Sequence, residues 1–298
     1  MNTITSADNS EQVAYWNAVA GLTWARLQRE LDQQIDPLGR AALTRLDPRV
    51  GEWILDVGCG CGQTSLELAE RVGERGRVVA VDISRPMLEV ARARPSDARS
   101  APLEFREVDA QTGALGMECF DAAFSRFGVM FFTDPRAAFA NIRRALKPNG
   151  RIAFVCWRAL AENAWMRVPL EAARALLPPI APADPTAPGP FAFADPQRVH
   201  GILESAGFAD VSIEPLDLDI GGTPLDAAVN LACRLGPLGS QLREQPQCLP
   251  AVADAVKNAL GAHLRDGEVW MGAAVWVVGA NVGGARGDAP QPAAGRDS

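Results

Sequence analysis

Trp53-Ile54-Leu55-Asp56-Val57-Gly58-Cys59-Gly60-Cys61-Gly62-Gln63-Thr64 is the stretch that decides the fold. Its first five residues make a short apolar strand, and the glycines end it. Glycine at alternate positions lets the backbone turn tightly and leaves room for a ligand against the main chain. Gln63 to Val72 then carries the pattern of an amphipathic helix. Strand, glycine turn and helix open a parallel α/β sheet, in which ligands bind beyond the carboxyl ends of the strands.

Downstream, Arg77 to Asp82 is a second strand. Ser84 is placed to cap the next helix, which has Pro86 near its start and ends near Ala93. Leu103 to Val108 and Cys119 to Ser125 are strands, and the segment between them is too short and Gly-rich for a helix. Pro135 to Leu146 is a helix stopped by Lys147-Pro148-Asn149-Gly150, and Arg151 to Trp157 is a fifth strand. Upstream, Tyr15, Trp16, Val19, Leu22, Trp24, Leu27 and Leu31 recur at helical spacing. Asp36-Pro37 breaks that run and Leu38 to Leu46 restarts it, while residues 1–12 are polar and expected to fray.

After Trp157, Glu162 to Leu177 reads as a helix. Prolines at 178, 179, 182, 185, 188 and 190 then favour extended irregular chain, an insertion or lid. Pro196 to Ser205 is helical and Val211 to Leu218 a strand. Leu225 to Leu260 is helical with breaks at Gly236-Pro237 and 245–250, and Val269 to Ala280 is the last strand. The expected fold is α/β: a doubly wound, mostly parallel seven-stranded sheet with helices on both faces, and with N-terminal helices and helical insertions covering the active site. The expected organisation is an N-terminal helical cap at 1–48, a cofactor-binding core at 49–158 and the proline-rich insertion at 159–195. The rest of the α/β domain follows at 196–282, with a helical insertion about 225–262 and a disordered tail at 283–298.

Of 298 residues, 48% are hydrophobic and 22% charged, a globular composition that excludes wholesale disorder. A net charge of −7 without a basic run argues against a nucleic-acid partner. The longest apolar run, Gly272 to Ala280, falls well short of the roughly 20 residues that span a bilayer. The N-terminus lacks a basic run followed by an apolar one, so a cytoplasmic protein with no membrane span is expected. The six cysteines are scattered and fit a reducing compartment. Cys59 and Cys61 have no obvious partner ligands, since His200 and His263 are the only histidines, so no metal is expected.

Asp82 closes the second strand, where its carboxylate can accept hydrogen bonds from both hydroxyls of a ribose. Glycine loop, strand and acid together indicate a nucleoside-containing cofactor. The spacing Gly-x-Gly-x-Gly departs from the dinucleotide Gly-x-Gly-x-x-Gly, and no Gly-Lys-Ser/Thr follows to make a P-loop. Asp56, two residues before the glycines, disfavours a pyrophosphate and suits a ligand carrying an ammonium group.

Taken in order, these segments resemble the class I S-adenosylmethionine-dependent methyltransferases, in the branch of the ubiquinone/menaquinone methyltransferases. Leu55 to Gly62 is similar to the family's first motif, whose acid and glycines line the methionine part and approach the adenosine. That implies Asp56, Gly58, Gly60, Gly62 and the adjoining Gln63 as cofactor residues. Asp82 resembles the ribose-binding acid, with Ser84 beside it, and Met87 lies where the family packs a side chain on the adenine. Val108-Asp109-Ala110 resembles the segment whose acid reaches the adenine amino group. Phe120 to Gly128, which includes Ser125, resembles the fourth-strand motif, and Leu146 to Arg151 the turn before the fifth strand. The resemblance covers about 50–160 well and the remaining frame more loosely. It implies S-adenosyl-L-methionine as cofactor and methyl transfer by in-line displacement, with the protein supplying alignment and charge preorganisation.

The acceptor belongs beyond strands four and five. Tyr15, Trp16 and Trp24 precede the fold, and Arg126, Phe127 and Met130 leave strand four without an ordinary polar loop. Trp157, Arg158, Trp165 and Phe193 bracket the proline-rich segment. Together these make an apolar site suited to a small aromatic or quinone-like acceptor, with O- or C-methylation favoured. Arg126 needs a counter-charge, either a protein carboxylate or an anionic acceptor group, and is one catalytic candidate. His200 is the candidate base, although a phenol of low pKa or an activated ring carbon needs none. The expected partner is a small-molecule methyl acceptor, with a homodimer as the commonest soluble oligomer. The alternatives are a non-catalytic cofactor-binding protein, a nucleotide-cofactor oxidoreductase and an RNA methyltransferase. Loop spacing opposes the oxidoreductase, and Ser125-Arg126-Phe127-Gly128 in place of Asn-Pro-Pro-Tyr opposes transfer to an adenine amine.

Overall fold

The computed structural model describes residues 8–95, 97, 99–179 and 184–283. Three helices lead in: α1 (Ser10–Asn17), α2 (Val19–Arg26) and α3 (Gln28–Leu46). The expected break at Asp36-Pro37 does not occur, because α3 runs through Pro37. Its buried stripe of Leu31, Ile35, Leu38, Ala42, Leu43 and Leu46 keeps helical spacing across the proline. Burying those side chains outweighs the roughly 3 kcal/mol that an internal proline costs. The expected fraying is also corrected where it can be seen. Asn9 is 3% exposed and Ser10 begins α1, while residues 1–7 lie outside the described residues.

The core alternates β1 (Trp53–Val57), α4 (Gln63–Val72), β2 (Arg77–Asp82), α5 (Arg85–Ala93), β3 (Leu103–Glu107), β4 (Phe120–Arg126), α6 (Pro135–Ala145) and β5 (Leu146–Trp157). Then come α7 (Ala164–Ala173), α8 (Pro196–Ser205), β6 (Phe208–Pro224), α9 (Leu225–Ala232), α10 (Gly236–Glu244) and α11 (Leu249–Gly261). The two-residue β7 (Leu264–Arg265) and β8 (Glu268–Val282) close the fold. The sheet order is β3-β2-β1-β4-β5-β8-β6, with β7 paired to β8 off that path. Strands β1 to β5 are parallel, and β8 runs antiparallel to both β5 and β6. The mostly parallel sheet with helices is therefore the fold, with β7 a short addition. The chain leaves β1 toward β2 and β3, then returns on the other side at β4. That reversal is the topological switch point where open α/β sheets bind ligands.

The inner strands are buried on both faces, which is why they read as near-continuous apolar runs. The expected strand Val211–Leu218 is longer, because β6 continues to Pro224 opposite β8. Gly221-Gly222, both at positive φ, form a bulge in that ribbon. The far half of the ribbon carries α9 to α11, which pack with α7 around Leu177, Val252, Val256, Leu260 and Met271. In the proline-rich segment, residues 180–183 lie outside the described residues. Residues 184–195 fold as turns, with the Gly189 amide donating to the Met130 carbonyl at 3.1 Å. The tail expected to be disordered lies outside the described residues from 284 onward. Among the described residues, no helix is long and apolar enough to cross a membrane.

Candidate active site

A cavity of about 620 Å³ opens where β1, β2 and β4 end. Its floor is the glycine loop. The Gly58 and Cys59 amides donate to the Val81 carbonyl at 2.9 and 3.1 Å, and the Gly60 amide donates to Asp82 Oδ2 at 2.7 Å. These bonds stitch the loop to the end of β2. Gly58 has φ +68°, and a Cβ built on it stands 2.8 Å from the Gly128 Cα. The loop and the turn after β4 thus meet backbone to backbone. Gly62 faces elsewhere, packing on Ala91 and Phe105.

Three carboxylates were expected here, and the structure separates them. Asp82 and Asp109 line the cavity. Asp82 Oδ1 accepts from the Ser84 amide at 2.8 Å, so each of its oxygens holds one backbone donor and keeps capacity for another. Burial raises its pKa against the opposing pull of those amides. Asp109 accepts from Asn9 Nδ2 at 3.0 Å, the Gln111 amide at 2.9 Å and Thr112 Oγ1 at 3.0 Å. Asp56 does not line the cavity. It is fully buried behind the loop, where Oδ2 accepts from Ser65 Oγ at 2.6 Å and Thr64 Oγ1 at 3.2 Å, tying α4 to β1. Among the described residues its Oδ1 has no hydrogen-bond partner, and burial pushes its pKa up to about 6.

Cys59 and Cys61 also line the cavity. Burial pushes the Cys61 thiol up to about 12 and raises Cys59 well above the ordinary range, so both are neutral thiols in a loop that wants small side chains. Met87, 7% exposed, stands on the wall, where a Cβ on Gly60 would come within 2.9 Å of its Cε. Ala110 lines the cavity beside Asp109.

The roof and far wall are aromatic. Trp16 meets Trp24 edge-on at 5.9 Å and Phe131 at 4.9 Å between centroids. Phe127 stacks on Trp157 at 4.1 Å with 7° between planes, and Trp157 meets Trp165 at 5.1 Å. Phe127 has φ +62°, a left-handed turn for a non-glycine residue that lays its ring on Trp157 as β4 ends. Tyr15 and Met130 line the same space.

Several expected site residues stand elsewhere. His200 lies on α8 with its side chain 43% exposed beside Glu204 and does not line the cavity, so it is not placed as a base. Phe193, 1% exposed, packs into the core against Phe139 and Phe154. Arg158 pairs with Glu162 and Asp217 and lies over the Trp276 ring, away from the cavity. Arg126 reaches the cavity wall, but its guanidinium is engaged by Asp32 Oδ1 at 3.1 Å and by Gln63 Oε1. The counter-charge is therefore a protein carboxylate, the first of the two alternatives the sequence offered. Gln63 bridges Arg126 to Asp36 and does not line the cavity. Ser125 is buried beneath the Gly128 turn. Ser84 holds the N-cap position of α5 without capping it, because its hydroxyl donates to the Trp16 carbonyl at 2.8 Å.

Asn9 and Asp32 carry no signal in the sequence, whereas α10 lies within the expected helical insertion and lines the cavity with Gly236, Pro237, Ser240 and Arg243. Asn9 Oδ1 accepts from Thr133 Oγ1 at 2.9 Å while its amide holds Asp109, which closes the N-terminal segment over one end of the cavity. A polar residue before an amphipathic helix gives no signal of that role.

A loop of alternating glycines, two cavity-lining acids with spare acceptor capacity and a chiefly apolar wall, set at the switch point of an open α/β sheet, fit the nucleoside-cofactor class of α/β proteins. Residues 54–150 match the family model described as methyltransferase domain. Over 244 residues the chain is 31% identical to a nocamycin O-methyltransferase from Saccharothrix syringae, covering 78% of this chain and 86% of that one. A demethylmenaquinone methyltransferase from Oceanobacillus iheyensis is 31% identical over 110 residues, 37% of this chain and 46% of that one. The fold is that of a Haemonchus contortus phosphoethanolamine N-methyltransferase 2 solved with S-adenosylhomocysteine. The TM-score is 0.54 at 18% identity, over 93% of this chain and 60% of that one. The chain belongs to the S-adenosylmethionine-dependent methyltransferases. S-adenosylmethionine is its cofactor.

Proposed function

We propose that this enzyme methylates an oxygen of a small, ring-containing and largely apolar acceptor. The observation that carries the reading is the wall of Trp16, Trp24, Phe127, Phe131, Trp157 and Trp165 beside the glycine loop. Flat apolar side chains hold a ring in place at low entropic cost and exclude water from the transfer. Asp82 would hold the ribose hydroxyls and Asp109 the adenine edge, with Met87 against the ring. The glycine loop would take the amino-acid moiety, and the Asp56 carboxylate behind it favours a cationic group nearby. The cofactor supplies an activated methyl group on a sulfonium.

Neither histidine lines the cavity, so the reading favours an acceptor oxygen acidic enough to react without a protein base. The nocamycin O-methyltransferase supports oxygen as the acceptor atom. A quinone-like acceptor is the second reading, favoured by the likeness to a demethylmenaquinone methyltransferase. We infer a cytoplasmic enzyme without a nucleic-acid partner, given the net charge of −7 and an aromatic site, and a homodimer as the assembly to test by light scattering.

Calorimetry with S-adenosylhomocysteine and, separately, NADH tests the cofactor site. One-to-one binding of the former alone is expected, and binding of NADH alone would overturn the reading. Incubation with S-adenosylmethionine and a panel of phenols and hydroxyquinones, read by mass spectrometry, tests the acceptor. Methylation of amines only would count against transfer to oxygen.

A further inference from the structure

We propose that Arg234 and Arg243 form an anion-binding rim that selects acceptors bearing a carboxylate or phosphate on their apolar body. This rests on the methyltransferase reading of the cavity and names the chemistry of its acceptor. Three cations line the cavity: Arg126, Arg234 and Arg243. Arg126 is matched by Asp32. Among the described residues, neither Arg234 nor Arg243 has a carboxylate within ion-pair distance, although the chain carries more acids than bases.

Both side chains are nevertheless held in place by neutral groups. Arg243 Nη2 donates to Ser240 Oγ at 2.7 Å and to the Tyr15 hydroxyl at 3.2 Å, and its guanidinium stands 6.0 Å over the Tyr15 ring. Arg243 Nη1 donates to the Arg234 carbonyl at 3.4 Å, which sets the two residues side by side. Arg234 Nε donates to Asn230 Oδ1 at 2.6 Å. Each guanidinium presents five donors, and these bonds use only part of that capacity. The result is two oriented, uncompensated positive charges at the solvent-facing rim of a cavity whose other walls are chiefly apolar.

The chemistry of that rim fits an oxyanion. A planar guanidinium pairs bidentately with a carboxylate or phosphate, and a second one beside it doubles the charge match. An apolar ring would enter among the tryptophans while its anionic substituent stays at the rim, where little desolvation is required. A neutral acceptor gains nothing from this arrangement, so the rim acts on selection rather than on the transfer step.

The probes are 2-naphthoate, 2-naphthyl phosphate and the neutral 2-naphthamide, titrated by calorimetry into the full-length protein saturated with S-adenosylhomocysteine. Quenching of tryptophan fluorescence gives a second readout, since Trp16, Trp24, Trp157 and Trp165 line the cavity. The wild type is expected to bind at least one anion roughly tenfold or more tightly than the amide. Comparing the two anions distinguishes a carboxylate site from a phosphate site. R234Q/R243Q is expected to bring both anions down to the level of the amide and leave the amide unchanged, while R234K/R243K keeps part of the preference. Equal binding of anions and amide by the wild type would overturn the proposal. So would an equal loss of all three probes in R234Q/R243Q. Affinity for S-adenosylhomocysteine is measured separately, so a failed cofactor site and a failed rim give different results.

Discussion

Asp32 Oδ1 accepts a hydrogen bond from Arg126 Nη2 at 3.1 Å, joining α3 to the end of β4 at the cavity wall. Asp32 Oδ2 also holds Arg94 and accepts from Gln28 Nε2 at 2.6 Å. One carboxylate thus serves two guanidiniums, and all three side chains are less than 20% exposed. Removing the acid leaves two largely buried cations without the counter-charge they share, although Arg126 keeps Gln63 Oε1. D32A is therefore expected to destabilise the fold by about 3 kcal/mol, read from the urea midpoint. The loss in the D32A/R126A double variant should fall short of the sum of the two single losses. Additive losses would mean that the two side chains do not act as a pair.

Gly128 has an ordinary φ of −76°, so alanine there meets no backbone strain. The obstacle is space, because its Cβ would stand 2.8 Å from the Gly58 Cα and 2.9 Å from the Val57 carbonyl oxygen. G128A is expected to push the loop from the turn, costing roughly 1–3 kcal/mol and most of the cofactor affinity. Gly201, inside α8 with nothing within 4 Å of its Cβ position, is the internal control. G201A is expected to raise stability by about 0.5–1 kcal/mol. Thermal melts with and without S-adenosylhomocysteine check both, and a G128A protein that keeps normal ligand stabilisation would refute the contact argument.

The contrast between those glycines shows what the sequence carries. Strands β1, β2, β4 and β5 were legible because buried parallel strands are continuous apolar runs punctuated by glycine and proline. Pro37 misled for the same reason that proline is usually informative: it is a strong local signal, here overridden by packing contributed from far along the chain. That Asp82 and Asp109 line the cavity was legible because residues at and just beyond strand ends are fixed points of the fold. Asp32 was not, since in sequence it looks like the solvated face of a helix and its partner Arg126 lies 94 residues away. Phe193 and Arg158 sit in stretches without periodicity, so nothing local told which way they face.

Asp56 makes stability depend on pH in an uncommon direction. Its folded pKa is raised to about 6, above the ordinary carboxylate value, because burial opposes the charge. Between about pH 4 and about 6 the folded chain holds this proton more tightly than the unfolded chain does. That contribution is present at low pH, falls as pH rises through this window and is constant above it, a loss of about 3 kcal/mol. Glu52, Glu104 and Asp121, whose pKa values are lowered by Arg151, Arg106 and Lys147 respectively, act oppositely and lose stability on acidification. The test is therefore the difference between wild type and D56N, measured by urea midpoint from pH 4 to pH 8. The wild type should lose ground to D56N as pH rises toward about 6 and then run parallel to it. Parallel curves throughout would remove Asp56 from the account.

Asp82 is where structure and the proposed cofactor role are most tightly joined, because the same carboxylate that orders Gly60 and Ser84 keeps acceptor capacity toward the cavity. D82A removes both functions. A hydrogen bond to a charged acceptor contributes about 1.5–3 kcal/mol, so S-adenosylhomocysteine affinity should fall by roughly ten- to a hundredfold. D82N keeps one carbonyl oxygen as an acceptor but brings in an amide that donates, and is expected to bind at an intermediate level. Calorimetry separates these cases, and a thermal melt shows whether the variant remains folded. Folded D82A with wild-type affinity would leave Asp82 as a clamp on the loop and move ribose recognition to another residue. A loss of affinity with an unchanged melt would assign the two backbone bonds a minor part in stability and the carboxylate its main part in holding the cofactor.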